Sequence, residues 1–267
     1  MRGGAPRHVW QTLKRCPGSP IQHQRERLDV EICRDIDTLT DDHRNREPDR
    51  PGNQGSEKAV QFDFETMGAL ERYRLLLATV LPRPIAWVTT RDAAGAINAA
   101  PFSFFNVFGS DPATVGIGIG SKGPAEPKDT RANIRTNEQF VVNLVPFALA
   151  QEMRVTSIAF PKGVEEPKEA GLSLVASLRV AVPRIAQAPV SMECTFMQEI
   201  ALGSFGLVLG KILMVHVKDE AVTNAARQHV DAVQLDLIGR MEGGWYTRTR
   251  ERFEMPSIAL EDWKGKP

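Results

Sequence analysis

The chain has 267 residues, 33 basic and 33 acidic, and a formal net charge of zero. That length allows one large domain or two small ones, and balanced charge gives no electrostatic drive toward nucleic acid or an anionic membrane. No apolar run reaches the ~20 residues of a membrane span, and the N-terminus lacks the apolar core of a secretory signal.

Residues 1–56 differ from all that follows. They hold only Trp10 of the aromatic residues and carry ten Lys/Arg against nine Asp/Glu. Apart from a short amphipathic stretch near Leu28, Ile32 and Ile36, nothing there is periodic. Such a segment cannot bury enough apolar area to offset its ordering entropy, so disorder is expected. A start codon further downstream, near Val60 or Met67, is the alternative. A targeting peptide fits less well, because the segment is Arg-rich but not acid-poor.

From about residue 60 compact elements follow in order. Glu71 to Val80 has helical spacing, with Leu70, Tyr73, Leu77 and Val80 on one side, and Pro82 and Pro84 stop it. Ile85–Thr90 is a strand, residues 91–95 a turn ending in glycine, and Ile97–Ala100 the returning strand. After a turn at Asp111-Pro112, Thr114–Gly120 is a strand whose glycines allow close backbone approach. Lys128–Asn137 reads as a helix, Phe140–Val145 as a continuous apolar strand, and Leu149–Ser157 as a short helix. The segment from Phe160 to Leu172 reads as an exposed loop. Val175–Val182, Val190–Ile200 and Phe205–Val217 read as strands, the last two forming a long hairpin turned at Leu202-Gly203-Ser204. Residues 238–250 look loop-like. Strands outnumber helices and connections are short, so an antiparallel barrel with a few helices fits better than a βαβ repeat.

Three cysteines, Cys16, Cys33 and Cys194, match no zinc or redox spacing, which suggests a reducing, cytoplasmic setting. Cys194 lies in an apolar strand and reads as a small buried hydrophobe. Beyond residue 56 only His216 and His229 remain. That argues against a multi-histidine metal site and leaves little for a Ser-His-Asp triad. His216, in an alternating run, reads as a strand histidine facing solvent or a neighbour.

Gly118-Ile119-Gly120-Ser121-Lys122-Gly123 satisfies GxGxxG after a strand, but a dinucleotide fold needs a helix to open at the third glycine. Pro124 and Pro127 prevent that. Lys128-Asp129-Thr130 is a better anion site. Asp129 or Thr130 can cap the helix, and its first-turn N–H groups and dipole favour phosphate. Lys128 adds a charge and Thr130 a hydroxyl donor. The bland alternative is an ordinary capped surface helix, with Arg131 and Arg135 solvated. Asn98, Ser103, Phe104 and Asn106 supply the donors, acceptors and ring surface that a flat, polar-edged ligand needs. Phe102, Phe105 and Phe108 read as core. Near the C-terminus Tyr246 and Arg248 can stack or bind anions, or simply close the surface.

Arg83–Thr90, Asn98–Asn106, Pro127–Ile134, Phe140–Leu144, Pro189–Cys194 and the segment from Tyr246 to Phe253, in this order, resemble the flavin-reductase-like family of FMN-binding split-barrel proteins. The Phe160-Pro161-Lys162-Gly163 loop before Ala170-Gly171-Leu172 resembles that family too. The resemblance covers roughly Phe62 to Ile258. It implies a mainly β fold: an antiparallel split β-barrel of Greek-key type with a few peripheral helices, in a domain of residues 60–258 followed by a tail, 259–267. It also implies a homodimer, with FMN in a groove at or near the subunit interface. Asn98, Ser103 and Phe104 are then expected at the isoalloxazine, and Ser121, Lys128 and Thr130 at the ribityl phosphate. Asn106 and Tyr246 carry over less directly. The activity implied is hydride transfer from NADH or NADPH to flavin, with electrons passed to a partner oxygenase, another acceptor or oxygen. No side-chain acid or base is required for that step. A non-catalytic electron carrier and a flavin-binding sensor module are the rival roles.

Overall fold

The computed structural model describes residues 59–123 and 126–263. Gln61–Pro267 forms one compact unit, and the segment 1–56 expected to be disordered lies outside the described residues. No helix among the described residues is long and apolar enough to cross a membrane.

The centre is a seven-stranded sheet built from β1 (Ala86–Arg91), β2 (Ile97–Phe102), β3 (Phe105–Ser110), β4 (Ala113–Gly120), β5 (Gln139–Leu144), β8 (Val190–Leu202) and β9 (Phe205–Val217). Their order is β2-β1-β5-β8-β9-β4-β3, and every pairing is antiparallel. The two edge strands, β2 and β3, are consecutive in the chain and separated only by Ser103-Phe104. A sheet whose edges are joined this closely must curl round on itself. At this corner the Gly118 N–H donates to the Phe104 carbonyl at 2.6 Å, one rung beyond the Phe105–Ile117 pairing of β3 with β4. The result is the open, mainly β antiparallel barrel that the resemblance implies, with few helices. Strand β3 was not expected from the sequence. Its residues after Phe105 are exposed, including Val107 and Phe108, so it lacks the alternation that marks a half-buried strand.

Alternation elsewhere sends one set of side chains inward. Ala86, Val88, Val115, Ile117, Ile119, Phe140, Val142, Cys194 and Val208 form the barrel core with Phe102, Phe105 and Ile134. Each large side chain contributes about 1.5–3 kcal/mol by leaving water. Gly210 admits the Phe140 ring, because a Cβ there would lie 2.3 Å from Phe140 Cζ. Cys194 is fully buried, and burial pushes its thiol well above the usual range. It behaves as the small hydrophobe expected of it.

The outward face of the same strands is also buried, under other elements. Ile85, Trp87, Val145, Met153 and Ile185 form a second cluster that includes the short helix α3 (Ala150–Val155). The strand expected over Val175–Val182 is replaced by a two-residue pairing of β6 (Leu174–Val175) with β7 (Arg184–Ile185). The intervening chain loops over the sheet because Glu193 takes its amides. The Glu193 carboxylate accepts from the Leu178 N–H at 2.8 Å and the Arg179 N–H at 2.6 Å. His216 Nε2 lies 2.5 Å from Glu193 Oε1, so this histidine faces a neighbour.

Two segments expected as loops are more ordered. Residues 160–172 contain a short helix, α4 (Glu166–Glu169). Glu165 and Glu166 accept the β2 edge amides of Ile97 and Ala99, at 3.0 and 3.3 Å. Carboxylates thereby occupy donors that an edge strand otherwise leaves open. Residues 238–250 form a hairpin of β12 (Ile238–Arg240) and β13 (Tyr246–Arg248), after the short pair β10 (Val222–Asn224) and β11 (His229–Val230).

Helix α1 (Ala69–Thr79) starts with Glu71 reaching back to the Gly68 N–H at 2.8 Å. Buried Arg83 closes its other end. One guanidinium nitrogen donates to the Leu77 and Val80 carbonyls at 2.7 Å each, and another to the Met241 carbonyl at 2.8 Å. The helix forms where the spacing predicts, but none of its residues is buried within the chain.

Candidate functional site

The β2–β3 corner and the start of helix α2 (Asp129–Asn137) meet at one end of the barrel. At the corner, Ser103 and Phe104 are half-buried. The Phe104 ring stacks on Phe205, with centroids 5.6 Å apart, and meets Tyr73 of α1 edge-on at 6.0 Å. Offset and edge-on pairs of this kind are favourable beyond their buried area. Gly118 is required beneath: a Cβ there would sit 2.9 Å from Phe104 Cβ. The glycines of the GxGxxG run thus make room at this corner, and the next helix described after them begins only at Asp129.

Lys128 is the N-cap of α2 and provides no side-chain cap. This corrects the expectation that Asp129 or Thr130 caps the helix. The Asp129 carboxylate takes the Lys122 ammonium at 2.8 and 2.9 Å. The Thr130 hydroxyl, buried, donates to Asn98 Oδ1 at 2.9 Å. The first turn is therefore left without a side-chain acceptor, the condition under which a helix start attracts an anion. Lys128 Nζ lies 5.8 Å from the centroid of the Phe102 ring. The packed atoms around this ammonium, and then the nearby Lys122 charge, hold its pKa below the ordinary lysine value.

Arginines expected to be solvated are anchors instead. Arg131, buried, donates from Nε to Glu199 at 2.7 Å and from Nη1 to Ser121 Oγ at 3.3 Å. Arg135 donates to the other Glu199 oxygen at 2.6 Å. Hydrogen bonds from Arg135 and then Arg131 keep the Glu199 carboxyl below its usual range, against the effect of burial. Ser121 Oγ in turn donates to the Ser204 carbonyl at 2.9 Å. The β8–β9 turn, the end of β4 and α2 are thereby locked together.

The structure brings Asn98 and Thr130 into direct contact. Lys128 lies two residues before Thr130, Ser121 is tied to the same helix through Arg131, and Ser103-Phe104 follows the Phe102 ring that Lys128 faces. Two candidates stand apart. Asn106 is exposed and accepts its neighbour's amide, Val107 N–H, at 2.8 Å. Tyr246 packs against the second cluster, under the Arg240 guanidinium that also donates to its hydroxyl. Sequence reasoning did not single out Tyr73 or Phe205 for this site. Phe205 arrives through the β4–β9 register, where it pairs with Gly120, and no local signal announces it. No group of three or more His, Cys, Asp or Glu among the described residues could hold a metal ion. In sum of chemistry, the site offers an open helix start with a lysine, a carboxamide held by a hydroxyl, and an aromatic wall. That set suits an anionic ligand with a flat ring.

Comparison with known proteins gives the family. Residues 78–234 match the model of the flavin reductase like domain, a range that contains Asn98, Ser103, Phe104, Asn106, Ser121, Lys128 and Thr130 but not Tyr246. An uncharacterized Deinococcus radiodurans protein is 40% identical over 210 residues, covering 77% of this chain and 92% of that protein. Among solved structures, nitrilotriacetate monooxygenase component B from Bacillus cereus superposes with a TM-score of 0.71 at 27% identity, over 75% of this chain and 100% of the other. The 2-nitrobenzoate 2-nitroreductase of Pseudomonas fluorescens does so with a TM-score of 0.69 at 31% identity, over 75% and 98%. With the matched domain spanning more than half of its length, this chain belongs to the flavin reductase like domain family.

Proposed function

We propose that this protein is an FMN-dependent NAD(P)H oxidoreductase of the flavin-reductase type, carried by residues 60–258. The observation that carries the reading is the Thr130–Asn98 hydrogen bond of 2.9 Å. It joins a helix start suited to phosphate to the strand whose corner carries the polar and aromatic groups suited to a flavin ring.

In this assignment Lys128 and the first-turn N–H groups of α2, including that of Thr130, hold the ribityl phosphate, with Ser121 beside them. The Thr130 hydroxyl orients Asn98, so that the carboxamide and Ser103 address the ring edge. Phe104, braced by Phe205 and Tyr73, covers the ring and excludes water. Asn106 and Tyr246 make outer contacts at the interface of a homodimer. Bound FMN would supply the hydride-accepting chemistry. The chain contributes binding, orientation and electrostatics, and no side chain is asked to move a proton. Similarity to a monooxygenase component supports delivery of electrons to a partner oxygenase. Similarity to a nitroreductase supports a small-molecule acceptor instead. A reducing, cytoplasmic setting is consistent with either.

The test is an absorbance spectrum of the protein with FMN, before and after anaerobic addition of NADH and, separately, NADPH. Bleaching at a catalytic rate is expected. Flavin retained but unbleached by both donors would favour a carrier or sensor, and absence of flavin affinity would remove the site assignment. Lys128→Ala should weaken FMN binding by about 1.5–3 kcal/mol, the range for a hydrogen bond to a charged group.

A further inference from the structure

Beyond the β12–β13 hairpin the chain leaves the barrel. Its last ties are the Thr249 N–H to the Leu237 carbonyl at 2.9 Å and Arg250 to Asp236 at 3.2 Å. After these, the backbone bonds recorded among the described residues are local ones, from Asp262 to Ala259 and from Trp263 to Leu260. Yet this arm is apolar: Phe253, Met255, Ile258, Leu260 and Trp263 are 60–85% exposed. Five large apolar side chains in thirteen residues, bonded to nothing on the barrel, form a surface that calls for a cover.

A second uncovered surface lies on α1. This helix has 11 residues and buries none of them, with Leu70, Tyr73, Leu76 and Val80 exposed. A helix of that length is marginal on its own in water and takes its stability from packing of its apolar stripe. Phe62 and Phe64, just before it, are exposed as well. Arg83 caps α1 and ties it to Met241 in the turn of the hairpin, whereas the arm leaves from the opposite end, beside Leu237 and Asp236.

We propose that the C-terminal arm, residues 251–263, lies across α1 of a second copy of this chain, with each copy giving its arm to the other. The inference rests on the homodimer reading above. An exchange about a two-fold axis covers both surfaces on both copies, since a symmetric interface counts every contact twice. Aromatic side chains bury roughly 150–250 Å² each, so reciprocal arms with two aromatic and three aliphatic residues supply much of the ~800 Å² per partner of a standard interface. Charge agrees in sign: the arm carries Glu251, Glu254, Glu261 and Asp262 against Arg252, and α1 carries Arg72 and Arg74 against Glu71. Because Tyr73 touches Phe104 and Phe205, the partner's arm also braces the aromatic wall of the candidate flavin site.

Sedimentation velocity and FMN titration test this on three proteins: the full chain, a chain ending at Arg250, and the variant Phe253→Ser/Leu260→Ser/Trp263→Ser. The full chain is expected to be a dimer. Both altered chains should dimerise about a hundredfold more weakly, as expected on losing several buried apolar side chains, and bind FMN more weakly with unchanged far-UV circular dichroism. A second experiment fixes the donor. With Cys16 and Cys33 replaced by serine, mixing a chain carrying Phe253→Cys with one carrying Leu76→Cys should give a disulfide-linked pair of chains under mild oxidation. A dimer unaffected by either alteration, or a bridge that closes only within a chain carrying both substitutions, would overturn the arm exchange and leave the dimer standing. A monomeric full chain would overturn both.

Discussion

Strand β5 and the first part of β8, residues 190–194, are buried on both faces, but by opposite means. Inward, Phe140, Val142 and Cys194 meet only apolar neighbours. Outward, at the alternate positions of the same strands, Asn143, Ser191 and Glu193 are as fully buried and are satisfied by hydrogen bonds. Asn143 donates to the Trp87 carbonyl at 3.0 Å and accepts from the Ile185 N–H at 3.0 Å and the Ser191 hydroxyl at 2.9 Å. Thr89 donates to the Pro183 carbonyl at 2.8 Å. The inner face is a packing problem, indifferent to which apolar groups solve it so long as volume is kept. The outer face is a matching problem. Its polar groups fasten a stretch of chain, residues 176–186, whose only ladder is the two-residue pairing of β7 with β6, and every member needs its partner.

The sharpest way to break this contrast is to empty the inner face. Phe140→Ala removes a fully buried ring seated over Gly210, and the cavity should cost about 3–5 kcal/mol in chemical denaturation. Next comes Glu193→Gln, which leaves shape intact but removes the charge that the Leu178 and Arg179 amides and His216 face. A loss of about 2–4 kcal/mol is expected at neutral pH, near that for breaking a buried pair. It should come with increased proteolysis within residues 176–183, which Phe140→Ala should not single out.

The same residue sets a pH limb. Burial pushes the Glu193 carboxyl up, but hydrogen bonds from Leu178, His216 and Arg179 outweigh it and hold the pKa below the ordinary value of 4.5. A depressed acid contributes stability above its unfolded pKa and loses it as pH falls through the folded one. Wild-type stability should therefore decline below about pH 4.5, and Glu193→Gln should flatten that limb, with Glu199 leaving a residual slope. Equal acid slopes in the two proteins would refute the assignment.

Thr130→Val should be smaller, about 0.5–1.5 kcal/mol for one neutral hydrogen bond, with weaker FMN binding because Asn98 loses its orientation. Smallest should be Lys122→Ala. Its pair with Asp129 is solvent-exposed, and such pairs are worth about 0–1 kcal/mol.

Much of the barrel was legible because its signals are local. The β8–β9 hairpin is announced by Gly203-Ser204 between two long runs, and the α2 start by Lys128-Asp129-Thr130 after Pro127. What was not legible depends on partners distant in sequence. Val175–Val182 alternates like a strand, but Glu193 claims its amides. Glu193 is fully buried because residues 176–186 are laid over it. In the candidate site, the residues of α2 and β2 were found in the chain, but not how they divide their labour. In sequence Thr130 reads as a phosphate donor, whereas its hydroxyl holds Asn98. Arg131 and Arg135 read as solvated, although Glu199, more than sixty residues on, binds both. Tyr73 and Phe205 join Phe104 only once the barrel has curled.

The order of strands also sets an order of assembly. The β8–β9 hairpin is the one long local pairing, and both halves of the barrel hang on it: β5 through β8, and β4 through β9. Thr114 of β4 waits for Lys211 and Gln139 of β5 for Thr195. During synthesis the first five strands therefore emerge with open edges, and closure awaits a hairpin near the end of the domain. Pairings of such long range fold slowly and leave edges exposed to other chains in the meantime. The carboxylates of Glu165 and Glu166 reach the β2 edge before that hairpin is made, and so protect a nascent chain as well as a finished one.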